Sequence, residues 1–310
     1  MSKIPVVFDS DPGVDDFFAW MLLNSCDRFD IKAVTTVPGN NTLETVTRNA
    51  MGIYRLFRMS GTRLAEGANT HMIKPIDPPK GGHGPTGLGD VILDTGDVKL
   101  DEKKAWNVIY EEAVKAKGEL EIFAVGPLTN LGIAFFKYPD LVDLIKRIVI
   151  MGGTTTRGNM SQFGEANICH DSHAAKIVFD TGLPIVMVGL NALPPCAMTK
   201  DQCEELMPDD LNPEIREVVL RLMTHRRGFP LCDAVTIAAI MDDNFAEWAE
   251  CYVDIEVRSP LTTGTTICDL NNSKAFFGEP AGQRKCKVAI TSDGKMFFDM
   301  FREMFKKYCW

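Results

Sequence analysis

The stretch Ile4-Pro5-Val6-Val7-Phe8-Asp9-Ser10-Asp11-Pro12-Gly13-Val14-Asp15-Asp16 passes from an apolar run of strand length into a turn and then into an acidic start of a helix. Pro5 is acceptable near a strand start, Gly13 lets the backbone turn sharply, and acids suit a first helical turn. The apolar residues that follow, to Leu23, complete a helix over Asp15 to Leu23. A strand, a tight turn and a helix in this order form the opening unit of an α/β fold.

Outward from this unit the alternation continues. Strands are expected at Ile31 to Val37, Leu120 to Val125, Arg147 to Met151, Pro184 to Leu190, Tyr252 to Val257 and Lys287 to Thr291. Between them, helical spacing covers Thr42 to Phe57, Lys103 to Lys117, Leu128 to Phe136, Ser172 to Asp180, Pro213 to Thr224 and Cys232 to Met241. Strands separated by helices predict an α/β fold, an open, mostly parallel twisted sheet with helices on both faces. No repeat, low-complexity tract or Pro/Ser-rich linker divides the chain, so residues 1–310 are expected to form one domain. The longest irregular stretch, Gly67 to Leu100, reads either as a functional lid or as surface decoration.

Composition narrows the function classes. A chain of this size exposes roughly 13,000 Å² when folded against about 50,000 Å² when extended, enough burial to dispense with disulfide or metal staples. Lys and Arg total 33 against 42 Asp and Glu, a net charge of −9. That balance supplies no basic stripe, which argues against nucleic acid and against an anionic membrane surface as partners. No run approaches the ~20 apolar residues of a membrane span, and the N-terminus enters a strand without a signal-peptide stretch. Nine scattered cysteines without a C-x-x-C pair point to reduced thiols and a cytoplasmic location.

The four acids of the opening turn carry the chemistry. Asp9 and Asp11, two apart on an extended chain, share a face, and Asp15 and Asp16 follow one turn later. Ligands of open α/β sheets bind beyond the carboxyl ends of strands, which is where these acids stand. Helix capping accounts for one or two of them. Two carboxylates ~4 Å apart repel by about 4 kcal/mol at an effective dielectric of 20, and no Lys or Arg lies in the segment. A divalent cation is the economical neutraliser, and all-oxygen ligands select Ca²⁺ or Mg²⁺.

Asp9-Ser10-Asp11-Pro12-Gly13-Val14-Asp15-Asp16 resembles the N-terminal Asp-x-Asp-Pro-Gly-x-Asp-Asp signature of the inosine-uridine-preferring nucleoside hydrolases. Further motifs agree in order. Thr36-Val37-Pro38-Gly39-Asn40-Asn41-Thr42 is similar to the family's asparagine loop, and His83-Gly84-Pro85-Thr86-Gly87-Leu88-Gly89 to its flexible loop. Val125-Gly126-Pro127-Leu128-Thr129-Asn130 is similar to a strand-end turn of the family. Met151-Gly152-Gly153, Gly158-Asn159 and Glu165-Ala166-Asn167, followed by Asp171, resemble its ribose-binding stretch. Cys232-Asp233-Ala234 falls where the family places its last metal ligand, and the likeness weakens after Val257.

The resemblance implies a Rossmann-like nucleoside hydrolase fold and calcium-dependent cleavage of the N-glycosidic bond of ribonucleosides. Calcium would be held by Asp11, Asp16, the carbonyl of Val125 and Asp233. On the residues alone, Asp233 at the head of an apolar helix reads as an N-cap. Ribose recognition would use Asp15, Asn40, Asn159, Glu165 and Asn167, with Met151 lining the sugar; amides and carboxylates suit hydroxyls that both donate and accept. Asn41 and Asn130 read as turn residues, and Asp9 as support behind the site. Asp11 would act as general base, and a homodimer or homotetramer is implied.

Two departures from the family pattern concern the leaving base and the site's surroundings. Cys232 stands where well-known members carry His, as in a Cys-containing subgroup; a thiol there reads equally as a proton donor or as a buried apolar residue. His83, His225, Arg226 and Phe229 are the other candidates to meet the base, and the arginines read also as a solvated helix end. Asn191-Ala192-Leu193 replaces an Asp and Val-Thr of relatives, which is expected to alter bonding around the site. His71, His170 and His173 read as structural. The competing functions are a nucleoside- or ribose-binding protein without turnover and a haloacid-dehalogenase-type phosphatase. The latter needs a later Lys and acidic pair, whereas the strand to Met151 ends in Gly152-Gly153-Thr154.

Overall fold

The computed structural model describes residues 2–75, 82–226, 230–271 and 285–310. Ten strands are found among them: β1 (Ile4–Ser10), β2 (Phe29–Thr36), β3 (Arg63–Glu66), β4 (Leu120–Ala124), β5 (Ile145–Met151), β6 (Ile185–Val188), β7 (Ala246–Cys251), β8 (Val253–Ile255), β9 (Thr266–Cys268) and β10 (Cys286–Ser292). The helices are α1 (Val14–Ser25), α2 (Leu43–Leu56), α3 (Ala105–Ala116), α4 (Thr129–Lys137), α5 (Ala166–His170), α6 (Ser172–Phe179), α7 (Lys200–Glu205), α8 (Pro213–Arg226), α9 (Cys232–Met241) and α10 (Gly294–Lys306).

Eight strands form one sheet in the order β3-β2-β1-β4-β5-β6-β10-β7, parallel except for β7, which runs antiparallel to β10. The expected mostly parallel α/β sheet is therefore present. Val6, Val7 and Phe8 of β1 are all sealed from solvent, because a strand with helices on both faces needs apolar residues on both. After β1 the chain builds outward to β2 and β3, then crosses back to β4 on the other side. The reversal opens a crevice between the carboxyl ends of β1 and β4.

Two cores flank the sheet. One packs α1 and α9 together with α10, whose Phe297, Phe301 and Phe305 recur every four residues and are fully buried. Phe301 stacks on Phe18 of α1 with ring centroids 5.9 Å apart. The other core holds Ile109, Leu131, Ile148 and Val178, from α3, α4, β5 and α6. Helix α9 is buried from Asp233 to Ile240, and this all-round apolar character brings its N-terminus beside that of α1. The total exposed surface is 13480 Å².

The structure differs from the sequence expectation at the edges. Tyr252 to Val257 is not one strand: β7 ends at Cys251 in the main sheet, and β8 pairs with β9 in a separate two-stranded sheet. Edge strand β7 presents Glu247 and Glu250 outward, so it lacks the apolar run that marks an interior strand. Strand β3 has only four residues with charged ends, and α10 was not anticipated at all. No helix among the described residues is long and apolar enough to cross a membrane.

Because α10 anchors α1 through Phe301, Phe301→Ala is expected to lower the unfolding free energy by about 3–5 kcal/mol, seen as an earlier denaturant midpoint. An unchanged midpoint would show that α10 adds nothing to the hold on α1.

Candidate active site

Strand β1 delivers its acids to the crevice and the chain then turns into α1. Asp16 caps that helix: one carboxylate oxygen accepts the Gly13 N–H at 2.8 Å and the Asn40 amide at 3.0 Å, and the other accepts the Ser10 hydroxyl at 2.6 Å. The Trp20 indole donates to Ser10 at 3.2 Å, so a core residue of α1 fixes a polar contact at its head. Capping thus explains Asp16, as the bland reading of the sequence allowed, and leaves the other acids unexplained.

Asp11 is 1% exposed. Its Oδ2 accepts the Asn40 N–H at 2.7 Å, and its Oδ1 is buried without a hydrogen-bond partner. Two glycines make room for this carboxylate. A Cβ at Gly39 would lie 2.2 Å from Oδ2, and one at Gly126 would lie 2.7 Å from Oδ1. Asp15, Asp16 and Asp233 bring one carboxylate oxygen each within 4.8 Å of the others. Burial, with the charge of Asp16, pushes the Asp11 carboxyl well above its ordinary range. Burial and the charges of Asp15 and Asp16 do the same to Asp233, and Asp16 is pushed up to about 6 by burial and by Asp15. Acids so placed call for a proton or a cation, and an orphaned oxygen among hard oxygen donors fits a divalent ion. The geometric cluster includes Asp15, expected only on the ribose, as well as Asp16 and Asp233, and does not include Asp11, expected as a ligand.

Strand β4 supplies a carbonyl. The Val125 N–H continues the sheet to the Asp9 carbonyl at 2.9 Å, while its own carbonyl accepts the Asn167 amide at 2.8 Å. That amide also reaches the Met151 carbonyl at 3.1 Å. A carbonyl has two lone pairs, so one remains for a further partner.

Glu165 is the N-cap of α5, with Oε1 accepting the Asn167 N–H and Oε2 the Ile168 and Gly153 N–H groups at 3.2 and 3.0 Å. Burial raises this carboxyl to about 7. Asn159 accepts the Ala166 N–H at 2.9 Å. From the glycine-rich loop, His83 Nδ1 accepts the Val14 N–H at 3.0 Å and lies 3.5 Å from Asp15. Cys232 Sγ donates to the Pro230 carbonyl at 3.6 Å.

These groups enclose a cavity of about 110 Å³, lined by Asp15, Asn40, His83, Val125, Met151, Asn159, Glu165, Ala166, Asn167, Cys232 and Asp233. Asp11 and Asp16 are not among its lining residues. A larger hollow of about 340 Å³ lies elsewhere, against Met241, Met296, Met300 and Met304 with Asp242, Asp299 and Glu303, and no amide side chain is among its described lining residues. His225 is not in the cavity; its Nε2 lies 3.6 Å from Asp90, and Gly89 packs against its ring. Arg226 closes α8, but its side chain, with Arg227 and Phe229, lies outside the described residues.

Asn130 exceeds the turn role expected of it. Fully buried, it donates to Asp9 Oδ1 at 2.8 Å and to the Thr36 carbonyl at 3.0 Å, and accepts the Ala68 N–H at 3.0 Å. It therefore ties the ends of β1 and β2 to the head of α4, and the Thr35 hydroxyl donates to the same Asp9 oxygen. Burial pushes the Asp9 carboxyl up to about 7. The only signal in the sequence was an Asn three residues after a Gly-Pro turn. Asn41 does act as a turn residue, accepting the Thr42 N–H at 2.8 Å. Asn191 holds the loop after β5 to β10, accepting the Thr155 N–H and donating to the carbonyls of Ala289 and Ile290. His71 and His170 pack ring to ring, away from the cavity.

Comparison with known proteins gives this geometry a family. The chain is 30% identical to the non-specific ribonucleoside hydrolase RihC of Klebsiella pneumoniae over 301 residues, 95% of this chain and 96% of that protein. It is 30% identical to RihC of Salmonella newport over 311 residues, covering 98% of each. Among solved structures, a plant nucleoside hydrolase, PpNRh1, superposes with a TM-score of 0.88 at 27% identity, covering 98% of this chain and 99% of that one. A purine-preferring ribonucleoside hydrolase from Gardnerella vaginalis gives 0.88 at 25% identity, covering 98% and 99%. The sequence profile of the inosine-uridine preferring nucleoside hydrolases matches residues 6–299, and the chain belongs to that family.

Proposed function

We propose that the protein hydrolyses the N-glycosidic bond of ribonucleosides, with Ca²⁺ held by Asp11, Asp16, the Val125 carbonyl and Asp233. The observation that carries this reading is the buried, unpartnered Oδ1 of Asp11 beside the clustered acids, next to a cavity lined by amides and carboxylates. Bound there, the ion would make a coordinated water more acidic and fix two ribose hydroxyls.

The protein's own groups do the rest. Asn40, Asn159, Glu165 and Asn167 present donors and acceptors suited to sugar hydroxyls, and Met151 gives the ring an apolar floor. Asp11 accepts the proton of the attacking water as the water oxygen bonds to the anomeric carbon and the carbon–nitrogen bond breaks. The transition state carries positive charge on the sugar, as in glycoside hydrolysis, and the surrounding carboxylates stabilise it. The departing base needs a donor. His83 Nδ1 is occupied as an acceptor by the Val14 N–H, so a neutral ring carries its proton on Nε2, in the wall of the cavity. The Cys232 thiol points its hydrogen at Pro230 instead. His83 is therefore assigned the hydrogen bond to the leaving base, with Cys232 beside it. Names of relatives span non-specific and purine-preferring enzymes, and this reading takes ribonucleosides as a class. Nine free thiols support a reducing, cytoplasmic setting, and the family resemblance supports a homodimer or homotetramer.

Incubation with Ca²⁺ and separate ribonucleosides is expected to release free ribose. Asp11→Asn should lower kcat by at least about 10²-fold with KM nearly unchanged. Tight nucleoside binding without ribose release would instead identify a binding protein. His83→Ala should lower kcat by about 10-fold or more, whereas Cys232→Ala should cost less; the reverse order in steady-state assays would transfer the donor role to the thiol.

The acids also give a pH signature. Asp11, Asp16 and Asp233 hold their protons more tightly folded than unfolded, so the metal-free fold bears little penalty near pH 4 and an increasing one as pH rises through about 6 and above. A cation at the cluster relieves that penalty. Ca²⁺ is expected to raise Tm more at pH 8 than at pH 5 in scanning calorimetry, and equal shifts would place the ion elsewhere.

A further inference from the structure

Asn49 stands in the middle of α2 and is 3% exposed. Its side-chain nitrogen donates to two main-chain carbonyls far apart in the chain, Pro12 at 3.0 Å and Thr86 at 2.9 Å. An amide nitrogen carries two hydrogens, so both are used. Asparagine is a poor occupant of a helix interior, and this one spends its donors outside its own helix.

The two carbonyls belong to the two segments that meet at the cavity. Pro12 lies between Asp11 and Gly13, in the turn that carries the acids, and Thr86 lies in the loop that carries His83. That loop is braced within itself. The Gly89 N–H donates to the His83 carbonyl at 2.7 Å, the Gly87 N–H to the Gly84 carbonyl at 3.2 Å and the Thr86 hydroxyl to the Gly89 carbonyl at 3.2 Å. A hold on Thr86 therefore acts on the loop as one piece. Two glycines admit the contact: a Cβ at Gly87, whose φ is +78°, would lie 2.9 Å from Asn49 Nδ2, and one at Gly13 would lie 2.4 Å from His83 Nδ1. The same side of α2 carries the chain onward. Three residues after Asn49, Gly52 leaves room for Leu93, and three later Arg55 pairs with Asp94 at 3.0 Å.

We propose that Asn49 is a positioning residue for the reaction, holding the loop of His83 against the turn of Asp11. The group that meets the departing base and the group that takes the proton of the attacking water then keep their relative placement. The inference rests on the reading of His83 as the donor to that base. The bond from the Val14 N–H fixes one atom of the His83 ring, and a single bond leaves the loop free to pivot about it. The attachment at Thr86, three residues along, removes that freedom. Water can replace Asn49 as a donor to either carbonyl, but it cannot tie the two segments together.

The test compares a ribonucleoside with 4-nitrophenyl β-D-ribofuranoside, whose nitrophenolate leaves without a donor. Asn49→Ala should lower kcat on the ribonucleoside by about 5- to 10-fold, with KM and the kcat on the nitrophenyl riboside each within about twofold. Added to His83→Ala, the same change should cost less than about twofold more. Equal losses on both substrates, or losses that multiply with that of His83→Ala, would show a general structural role and overturn the proposal. Hydrogen exchange of the metal-free protein gives a readout apart from activity: amides of residues 84–89 should exchange at least about 10-fold faster in Asn49→Ala, with β1 unchanged. Unaltered exchange in the loop would sink the idea equally. Gly87→Ala pushes on the same amide from the loop side, should show the same substrate selectivity, and decides the matter if Asn49→Ala does not fold. Normal ribonucleoside turnover by His83→Ala, or no ribose release by the unaltered protein, refutes the reading of the site instead, and the exchange rates alone then decide whether Asn49 holds the loop.

Discussion

Like charges confined at one strand end set the terms for the rest of this molecule. Asp9, Asp11, Asp15, Asp16, Glu165 and Asp233 are all 5% exposed or less, and among the described residues no lysine or arginine lines their cavity. Buried carboxylates survive only when protonated, hydrogen-bonded or shared with a cation. The fold uses the second device as far as it will go: backbone N–H groups of Gly13, Asn40, Gly153, Asn167 and Ile168 all point at acid oxygens. Asp9 Oδ2 and Asp11 Oδ1, both sealed from solvent, are left without a hydrogen-bond partner.

The aspartate side and the amide side of the cavity are not separate constructions. The Asn167 amide binds the carbonyls of both Val125 and Met151, so the helix capped by Glu165 is fastened to the ends of two adjacent strands, β4 and β5. Asn40 works similarly on the opposite wall, with its backbone on Asp11 and its amide on Asp16. Placement of these amides relative to the acids is thereby fixed by sheet register rather than by loop conformation alone, which suits the proposed reaction, one that depends on positioning.

The opening strand, the turn and α1 were legible because hydrophobic runs and helix-start acids are local signals. The convergence of Asp233 was not legible from its own surroundings: at the head of α9 it looks like a cap, and only the burial of that helix against α1 shows otherwise. Family likeness supplied that link. Asn130 was misjudged because its partners, Asp9, Thr36 and Ala68, lie far away in the chain, and no local pattern encodes them. Strands β3 and β7 were hidden by their position at the sheet edges, where charged residues replace the apolar run. His225 matched by its place in the sequence near Asp233, but its ring lies by Asp90.

Gly39 and Gly126 sit on turns that leave two different strands, β2 and β4, yet both face the same carboxylate. Neither needs a left-handed backbone, so neither would be flagged by dihedral angles; each is bare because Asp11 occupies the space. Any attempt to transplant either turn from another scaffold, or to diversify it in a library, must therefore treat the pair and Asp11 as one inseparable unit.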